Sequence, residues 1–367
     1  MPPNNRTLLS MVVSGLLITL SNTAYAQDPL GKGYQFEGNG KRDFPCGQPT
    51  YRTDKLPDIE WPQIKAAATA AGQQLKRARK DWSNGDTHVS AEQITSTLQW
   101  LKNGAETEIP LAVIALHGED GCSNTQFTGY FTPRMDVKTV ADAEYRYPFY
   151  RKPERWPDGA KLTRGQIDIE KKLSGQGLEL AYSNSLLENY FAHVQGSVRV
   201  RYLDSQQEKT LAYGGKNGFS YQSLGRYLVQ NNHISAKAIS MDSIRAFFSA
   251  NPDKTAELLA INNSYTFFRA VDDGPFAASG AQVTPMATAA VDPHYIPYGA
   301  VLLAEVPTID DQNQVTGYRW QLLVAQDRGA AIKGPGHIDI YMGTGEQARE
   351  KAARLHHYGR LWWLLVE

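Results

Sequence analysis

Short strand-like segments at close spacing fill the last quarter of the chain, and they constrain its fold more than any other feature. From Pro285 onward, β-branched and aliphatic residues form these segments. A single helix is predicted to interrupt them, from Gly345 to His357. Several short strands around one helix predict a β-barrel. The predicted strands are Val301–Val306, Tyr318–Gln326, His337–Tyr341 and Leu361–Val366.

Two helices and two strand-like runs are predicted nearer the start of the chain. Apolar residues at helical spacing predict a helix over residues 59–80. The capping box Ser90-Ala91-Glu92-Gln93 opens a second helix over residues 90–103. Residues 109–116 are apolar and residues 127–133 are β-branched and aromatic, which is typical of strands.

A middle segment of mixed character, residues 136–273, separates these strands from the C-terminal ones. It contains proline-rich stretches, scattered glycines and several predicted helices. The chain is longer than one compact core usually supports, so two domains are expected. The simplest arrangement joins residues 27–135 and 274–367 into one barrel domain and inserts residues 136–273 as a second. We expect a groove between the two domains to hold the ligand.

The first 26 residues have the pattern of a secretory signal peptide. Arg6 is followed by an apolar run from Leu8 to Leu20 and by Ala24-Tyr25-Ala26, a cleavage site of the small-x-small type. The run is shorter than the ~20 residues of a membrane span. No cysteine follows that could carry a lipid anchor. We therefore predict an exported, periplasmic protein that is soluble or peripherally associated with the outer membrane.

The chain contains two cysteines, Cys46 and Cys122. Export places them where thiols oxidise, which favours a disulfide between them. Two buried free thiols would have the same sequence pattern.

Charge and motifs exclude several classes of function. The chain has 38 basic and 38 acidic residues, and such a balance does not favour binding to nucleic acid or to an anionic membrane. It contains no phosphate-binding loop, dinucleotide fingerprint, nucleophile elbow or His-Glu-x-x-His motif. No metal or organic cofactor is predicted.

Three aspartates in the last quarter lie in or at the end of apolar runs, where carboxylates are unusual. They are Asp292, Asp327 and Asp339. Burial of an unpaired carboxylate raises its pKa. An acid that stays protonated near neutral pH is what glycosidic cleavage needs, because the leaving oxygen must receive a proton.

Each aspartate also has a structural interpretation. Asp327 beside Arg328 could form an ion pair or a turn, and Asp292 could be a turn residue. Asp339 lies between two isoleucines and therefore points to the face opposite theirs, which could be solvent. His337 shares that face, but one histidine and one aspartate make a poor metal site.

Several short runs, in a fixed order between Phe127 and Leu364, are similar to those of a known family. The main C-terminal ones are Ala289-Ala290-Val291-Asp292, Asp327-Arg328-Gly329-Ala330-Ala331-Ile332-Lys333-Gly334 and Ile338-Asp339-Ile340-Tyr341-Met342-Gly343-Thr344-Gly345. Upstream they are Phe127-Thr128-Gly129-Tyr130-Phe131-Thr132-Pro133, Leu180-Ala181-Tyr182-Ser183-Asn184, Val194-Gln195-Gly196-Ser197 and Gly215-Lys216-Asn217-Gly218. Together they resemble the membrane-bound lytic murein transglycosylase A family.

The resemblance implies a mainly β fold with helices, in which a double-psi β-barrel carries an inserted β-rich domain. It implies that Asp339 is the catalytic acid and that Asp327 and Asp292 are supporting residues. This chain departs from the pattern at Arg328-Gly329-Ala330. It also lacks the lipid-accepting cysteine of the best-known members, which puts anchoring to the outer membrane in question.

The implied reaction is cleavage of the β-1,4 bond between N-acetylmuramic acid and N-acetylglucosamine, with formation of a 1,6-anhydromuramyl end. The muramyl C6 hydroxyl is the nucleophile, so no second catalytic carboxylate is required, unlike in most glycosidases. The expected partners are peptidoglycan strands and cell-wall synthesis enzymes, and the protein is expected to be a monomer that acts in cell-wall turnover.

Candidate sugar-binding residues accompany the catalytic acid. Aromatic rings suit pyranose faces, although core packing is the competing interpretation. Polar residues in glycine-rich stretches suit loop contacts, with plain turn structure as the alternative. The residues are Tyr130, Thr132, Tyr182, Gln195, Lys216 and Asn217.

Two rival functions come from other classes. An expansin-like barrel would bind glycan without cleaving it. An aspartic protease is disfavoured, because Asp327 is followed by Arg328 and Gly329 and no second Asp-Thr/Ser-Gly signature occurs.

Overall fold

The structure, a computed structural model, describes residues 51–53, 62–75, 81–85, 87–104, 111–118 and 125–367. The predicted signal peptide, Cys46 and Cys122 lie outside these ranges, so the leader and the disulfide stay predictions. Within these ranges, no helix combines the length and the apolar character needed to cross a membrane.

The described residues form sixteen strands and eight α-helices. The strands are β1 (Tyr51–Thr53), β2 (Trp82–Asn84), β3 (Thr87–Val89), β4 (Leu111–Leu116), β5 (Thr125–Thr132), β6 (Arg134–Val137), β7 (Tyr147–Tyr150), β8 (Glu179–Ser183), β9 (Val198–Tyr202), β10 (Glu208–Lys216), β11 (Thr266–Val271), β12 (Thr288–Ala290), β13 (Val301–Ile309), β14 (Val315–Asp327), β15 (His337–Thr344) and β16 (His356–Val366). The helices are α1 (Pro62–Leu75), α2 (Ala91–Lys102), α3 (Arg164–Asp168), α4 (Leu186–Gln195), α5 (Leu224–Gln230), α6 (Met241–Ala250), α7 (Thr255–Ala260) and α8 (Glu346–Arg354).

Six strands close into a barrel through β16. One edge of β16 pairs with β13, and its other edge pairs with β5 over residues 356–359 and with β4 over residues 361–366. The ring runs β16-β13-β14-β12-β15-β5 and returns to β16. The pairings of β12 with β14 and of β15 with β5 are parallel, and the other four are antiparallel. The predicted barrel is confirmed.

Close approach of two strands requires glycine at position 359. A Cβ on Gly359 would lie 2.0 Å from the carbonyl oxygen of Glu305 in β13 and 3.0 Å from the ring of Phe127 in β5. No rearrangement of a flexible side chain could relieve a clash with backbone. Gly359 therefore lets β16 close the barrel.

Helices α1 and α2 pack against the barrel with apolar faces, as their sequence periodicity predicts. The side chain of Gln326 in β14 donates to the carbonyl of Ala67 in α1, at 3.2 Å. The predicted capping box of α2 is present, with Ser90 and Gln93 each accepting from the other's backbone N–H.

Helix α8 covers β5 and β15. A Cβ on Gly129 would lie 2.7 Å from the Cα of Ala352, so glycine permits this contact. The prediction that the helix continues to His357 is wrong. It ends at Arg354, because Leu355 is extended and residues 356–359 pair with β5 as part of β16.

The chain leaves the barrel after β5, builds a second sheet-rich part, and returns at β12. This part contains a four-stranded sheet in the order β11-β10-β9-β6, the β7–β8 pair and helices α3 to α7. The mainly β, two-part fold class is confirmed. The predicted boundaries at residues 136 and 273 stay predictions, although β6 already begins at Arg134.

Candidate active site

Asp339 occupies the middle of β15 and faces away from the barrel core. Its neighbours Ile338 and Ile340 are fully buried in that core, and alternation along the strand turns the Asp339 side chain to the outer face. In the sheet register Asp339 lies opposite Thr128 of β5 and Ala290 of β12. The orientation predicted from the two isoleucines is therefore the one observed.

The environment of Asp339 favours a protonated carboxyl. Burial raises its pKa from the ordinary 3.8 to about 7. The hydroxyl of Thr128 donates to Oδ1 at 2.8 Å and opposes this shift, while the negative charge of Asp327 adds to it. Near neutral pH, the carboxyl is therefore divided between its acid and base forms.

Thr128 links Asp339 to His337. The Thr128 oxygen lies 2.9 Å from His337 Nε2. Threonine has one hydroxyl proton, so while Thr128 donates it to the ionised Asp339, its oxygen accepts from His337 Nε2–H. Sequence reasoning missed Thr128, because only the parallel register of β5 and β15 brings it opposite Asp339.

Asp327, at the end of β14, has a different environment. Its Oδ1 accepts the backbone N–H groups of Ala278 and Arg328 at 2.9 and 2.8 Å, and its Oδ2 accepts the Tyr130 hydroxyl at 2.9 Å. Burial raises the pKa of Asp327 above its ordinary value, and the three hydrogen bonds and the charge of Arg328 offset only part of this rise. Three donors to one carboxylate favour the ionised form. Asp327 thus resembles an anchor for Tyr130 more than a proton donor.

Tyr130 is held by its hydrogen bond to Asp327 and by packing against Tyr341. Its ring packs against that of Tyr341 with centroids 5.2 Å apart. Burial and then the charge of Asp327 raise the pKa of Tyr130 well above its ordinary value, so the hydroxyl remains a donor.

Asp292 holds a turn beyond β12. Its Oδ1 accepts the backbone N–H of His294 at 3.1 Å, and its Oδ2 accepts that of Gly334 at 2.9 Å. The structure shows the turn that the sequence allowed, and the supporting role of Asp292 in the site stays a prediction. The contact with Gly334 ties this turn to the loop that leads into β15.

The predicted sugar-binding residues form two groups, one buried and one with accessible surface. Thr132 and Asn217 are each 1% exposed. The hydroxyl of Thr132 lies 3.0 Å from that of Tyr341. The amide of Asn217 donates to the carbonyls of Leu162 and Asn263 and accepts from the backbone N–H of Tyr265. The two buried side chains have structural partners, and sugar contacts for them stay predictions.

The other predicted sugar-binding residues have accessible surface. Tyr182 in β8 and Gln195 at the end of α4 are half-buried, and Lys216 at the end of β10 is exposed. Gln195 Oε1 accepts from the backbone N–H of Phe131 at 3.4 Å and so joins α4 to the barrel strand β5.

A cavity of about 400 Å³ lies where α4 and α6 face α8. None of the three candidate aspartates lines it. Arg245 pairs with Glu188 at 2.7 Å, and Arg349 pairs with Asp242 at 2.7 Å. Because these arginines already have carboxylate partners, the cavity is an ion-paired contact between the barrel and the second part.

Comparisons with known proteins cover both parts of the chain. The model of the MltA specific insert domain matches residues 126–269, and that of the 3D domain matches residues 287–365. Membrane-bound lytic murein transglycosylase A of Escherichia coli K12 is 36% identical over 278 residues, which cover 72% of this chain and 73% of the relative. The Vibrio cholerae protein of the same name is 34% identical over 258 residues, covering 69% and 68%.

Solved structures agree with the sequence relatives. The crystal structure of E. coli MltA with bound chitohexaose superposes with a TM-score of 0.73 at 29% identity, covering 90% of this chain and 99% of that one. The lytic murein transglycosylase of Agrobacterium tumefaciens gives 0.70 at 26% identity, covering 83% and 94%. The chain belongs to the membrane-bound lytic murein transglycosylase A family.

Proposed function

We propose that this chain is a lytic transglycosylase of peptidoglycan in which Asp339 is the single catalytic acid and base. The observation that carries the role of Asp339 is its environment. Burial raises its pKa to about 7 against a single opposing hydrogen bond, whereas three hydrogen bonds oppose the rise in the pKa of Asp327. Family membership supports the reaction, and the chitohexaose bound to the E. coli relative supports a glycan ligand.

Cleavage proceeds by transfer within the substrate. Protonated Asp339 delivers its proton to the oxygen that links muramyl C1 to the neighbouring N-acetylglucosamine, and that C1–O bond breaks. The muramyl C6 hydroxyl forms the new bond to C1, and its proton passes to the Asp339 carboxylate. The acid is regenerated, no water is consumed, and the product ends in 1,6-anhydromuramic acid. A pKa near the working pH suits both proton transfers.

Neighbouring side chains position this acid. Thr128 directs one oxygen of Asp339 by its hydrogen bond, which leaves the other to face substrate. Asp327 holds Tyr130, whose ring borders the site. The ionised Asp327 also disfavours ionisation of Asp339 and keeps more of it in the acid form.

The protein acts at the cell envelope. Its relatives are named as membrane-bound, and murein is an envelope polymer. The predicted signal peptide favours a periplasmic enzyme, and we expect it to contact the outer membrane only peripherally. Tight, salt-resistant membrane association of the mature protein would contradict this.

The chemistry of the products tests the reaction. Purified sacculi are digested in water enriched in oxygen-18, and the released muropeptides are analysed by mass spectrometry. A transglycosylase gives anhydro ends without the label. A hydrolase gives labelled reducing ends.

The expansin-like alternative predicts binding to sacculi with no released muropeptides. The matched controls are Asp339→Asn, which should release only a small fraction of the wild-type amount, and Asp253→Asn, an exposed aspartate of the second part, which should behave as wild type.

A further inference from the structure

Most cations on the second sheet have carboxylate partners. Arg201 pairs with Asp136 at 2.6 Å, and Arg199 pairs with Glu208 at 3.5 Å. Four other cations have no carboxylate of the described residues within ion-pair distance, and together they are called the basic rim: Lys152, Lys161, Lys216 and Arg328. All four are exposed, and within the described part of the chain none forms an ion pair.

The three lysines of the basic rim are grouped around one segment, Gly215 to Gly218, at the end of β10. The Lys152 ammonium lies 3.6 Å from the position of a Cβ on Gly215, and the Lys161 ammonium lies 3.0 Å from that on Gly218. Both glycines have positive φ angles, +128° and +92°, and their missing side chains leave room for the lysines. Lys216, the last residue of β10, lies between these two glycines in sequence.

Arg328 brings a fourth positive charge from the barrel. Partial burial of its ammonium lowers the pKa of Lys216, and the charge of Arg328 lowers it further. The two cations, one from each part of the molecule, are therefore near enough to repel each other. Asp327 interacts with the charge of Arg328 but forms no ion pair with Lys216. Like charges that lie close together are unfavourable, and a bound anion would relieve the repulsion.

The basic rim borders the candidate active site. Arg328 directly follows Asp327, and its backbone N–H bonds to that carboxylate. The negative charge of Asp327 in turn raises the pKa of Asp339. A ligand held by Arg328 and Lys216 thus lies beside the sugar that Asp339 cleaves.

Neutral sugars do not require several unpaired cations, but muramyl residues carry carboxylates. The lactyl ether of a muramyl residue ends in a carboxylate when the stem peptide is absent. When the stem is attached, its own carboxylates are present instead. We propose that the basic rim binds a carboxylate of the muramyl substituent and so makes the enzyme selective for anionic glycan over neutral glycan. This inference rests on the proposed function.

Binding measurements test the proposal without turnover. The full chain carrying Asp339→Asn is titrated with three ligands: a stem-bearing glycan strand, a stem-free strand with free lactyl carboxylates, and neutral chitohexaose. The test variant adds Lys216→Gln and Arg328→Gln. The matched control adds Lys237→Gln and Lys254→Gln, two exposed lysines elsewhere on the second part. Thermal unfolding verifies that each variant is folded.

We expect the test variant to lose roughly tenfold more affinity for an anionic strand than for chitohexaose. This difference between the two losses, called the excess, should become smaller at high salt. An excess for the stem-free strand alone identifies the lactyl carboxylate, and an excess for both anionic strands shows that either carboxylate is bound. An excess for the stem-bearing strand alone identifies the stem. Equal losses for all three ligands, or an equal excess in the control, would overturn the proposal. The anhydro products of the wild type test the proposed function separately.

Discussion

Replacing Asp339 with asparagine should stabilise the protein, and the gain should depend on pH. Folding raises the pKa of Asp339 from 3.8 to about 7. Below the lower value the carboxyl is protonated in both states and contributes no pH dependence. As the pH rises from about 4 to about 7, the unfolded chain loses this proton more readily than the folded one, so the free energy of unfolding falls.

The difference between the two pKa values sets the size of this effect. One pH unit corresponds to about 1.4 kcal/mol, so the cost reaches at most about 4 kcal/mol near pH 7. Relaxation around the half-open site would reduce it to about 2 kcal/mol. Asparagine cannot ionise and avoids the cost. Its amide loses some of the hydrogen bonding to Thr128, which is independent of pH in this range.

Urea unfolding at several pH values from about 4 to about 8 measures the effect. The gap in free energy of unfolding between Asp339→Asn and wild type should widen in favour of the variant as the pH rises, and level off above about 7. Asp253→Asn, at an exposed site, should show no such widening. A gap that stays constant across the range would refute the raised pKa of Asp339.

Three further substitutions test separate parts of the structure. Thr128→Val removes a hydrogen bond that stabilises ionised Asp339, so the basic limb of the activity–pH profile should move up by about one pH unit, while Thr128→Ser keeps the wild-type profile. Gly359→Ala places a Cβ 2.0 Å from the Glu305 carbonyl and should lower the free energy of unfolding by about 3 kcal/mol; unchanged stability would contradict the described barrel closure. Asn217→Ala leaves buried backbone groups unpaired and should cost about 2–4 kcal/mol in the same urea assay, whereas an exposed sugar contact would cost almost nothing.

Local sequence patterns predicted most elements of the barrel. The runs at 301–306 and 318–326 lie within β13 and β14, and the capping box at Ser90 opens α2. These features depend on alternation and capping, which neighbouring residues determine. The end of α8 was predicted wrongly, because pairing of residues 356–359 with β5 overrides the local helical pattern.

The candidate site was only partly predictable. Asp339 was identified by its isoleucine neighbours and by the short family motif around it, and both are patterns of residues adjacent in sequence. Thr128 and the donors to Asp327 come from distant segments, and pairing between strands brings them together. Nothing in a single sequence reports the number of hydrogen bonds to a carboxylate, which is what distinguishes Asp339 from Asp327.

The release of anhydro-muropeptides by purified aspartate variants is the most direct test of the catalytic role. Sacculi are incubated with wild type, Asp339→Asn, Asp327→Asn and Asp292→Asn, and circular dichroism verifies each fold. General acid catalysis typically contributes ~10²–10⁴-fold, and loss of the sole acid and base should lower the turnover of Asp339→Asn by an amount at or beyond the upper end of this range. The other two variants should lose less turnover. Near-normal turnover by Asp339→Asn together with none by Asp327→Asn would contradict the account and assign the acid to Asp327.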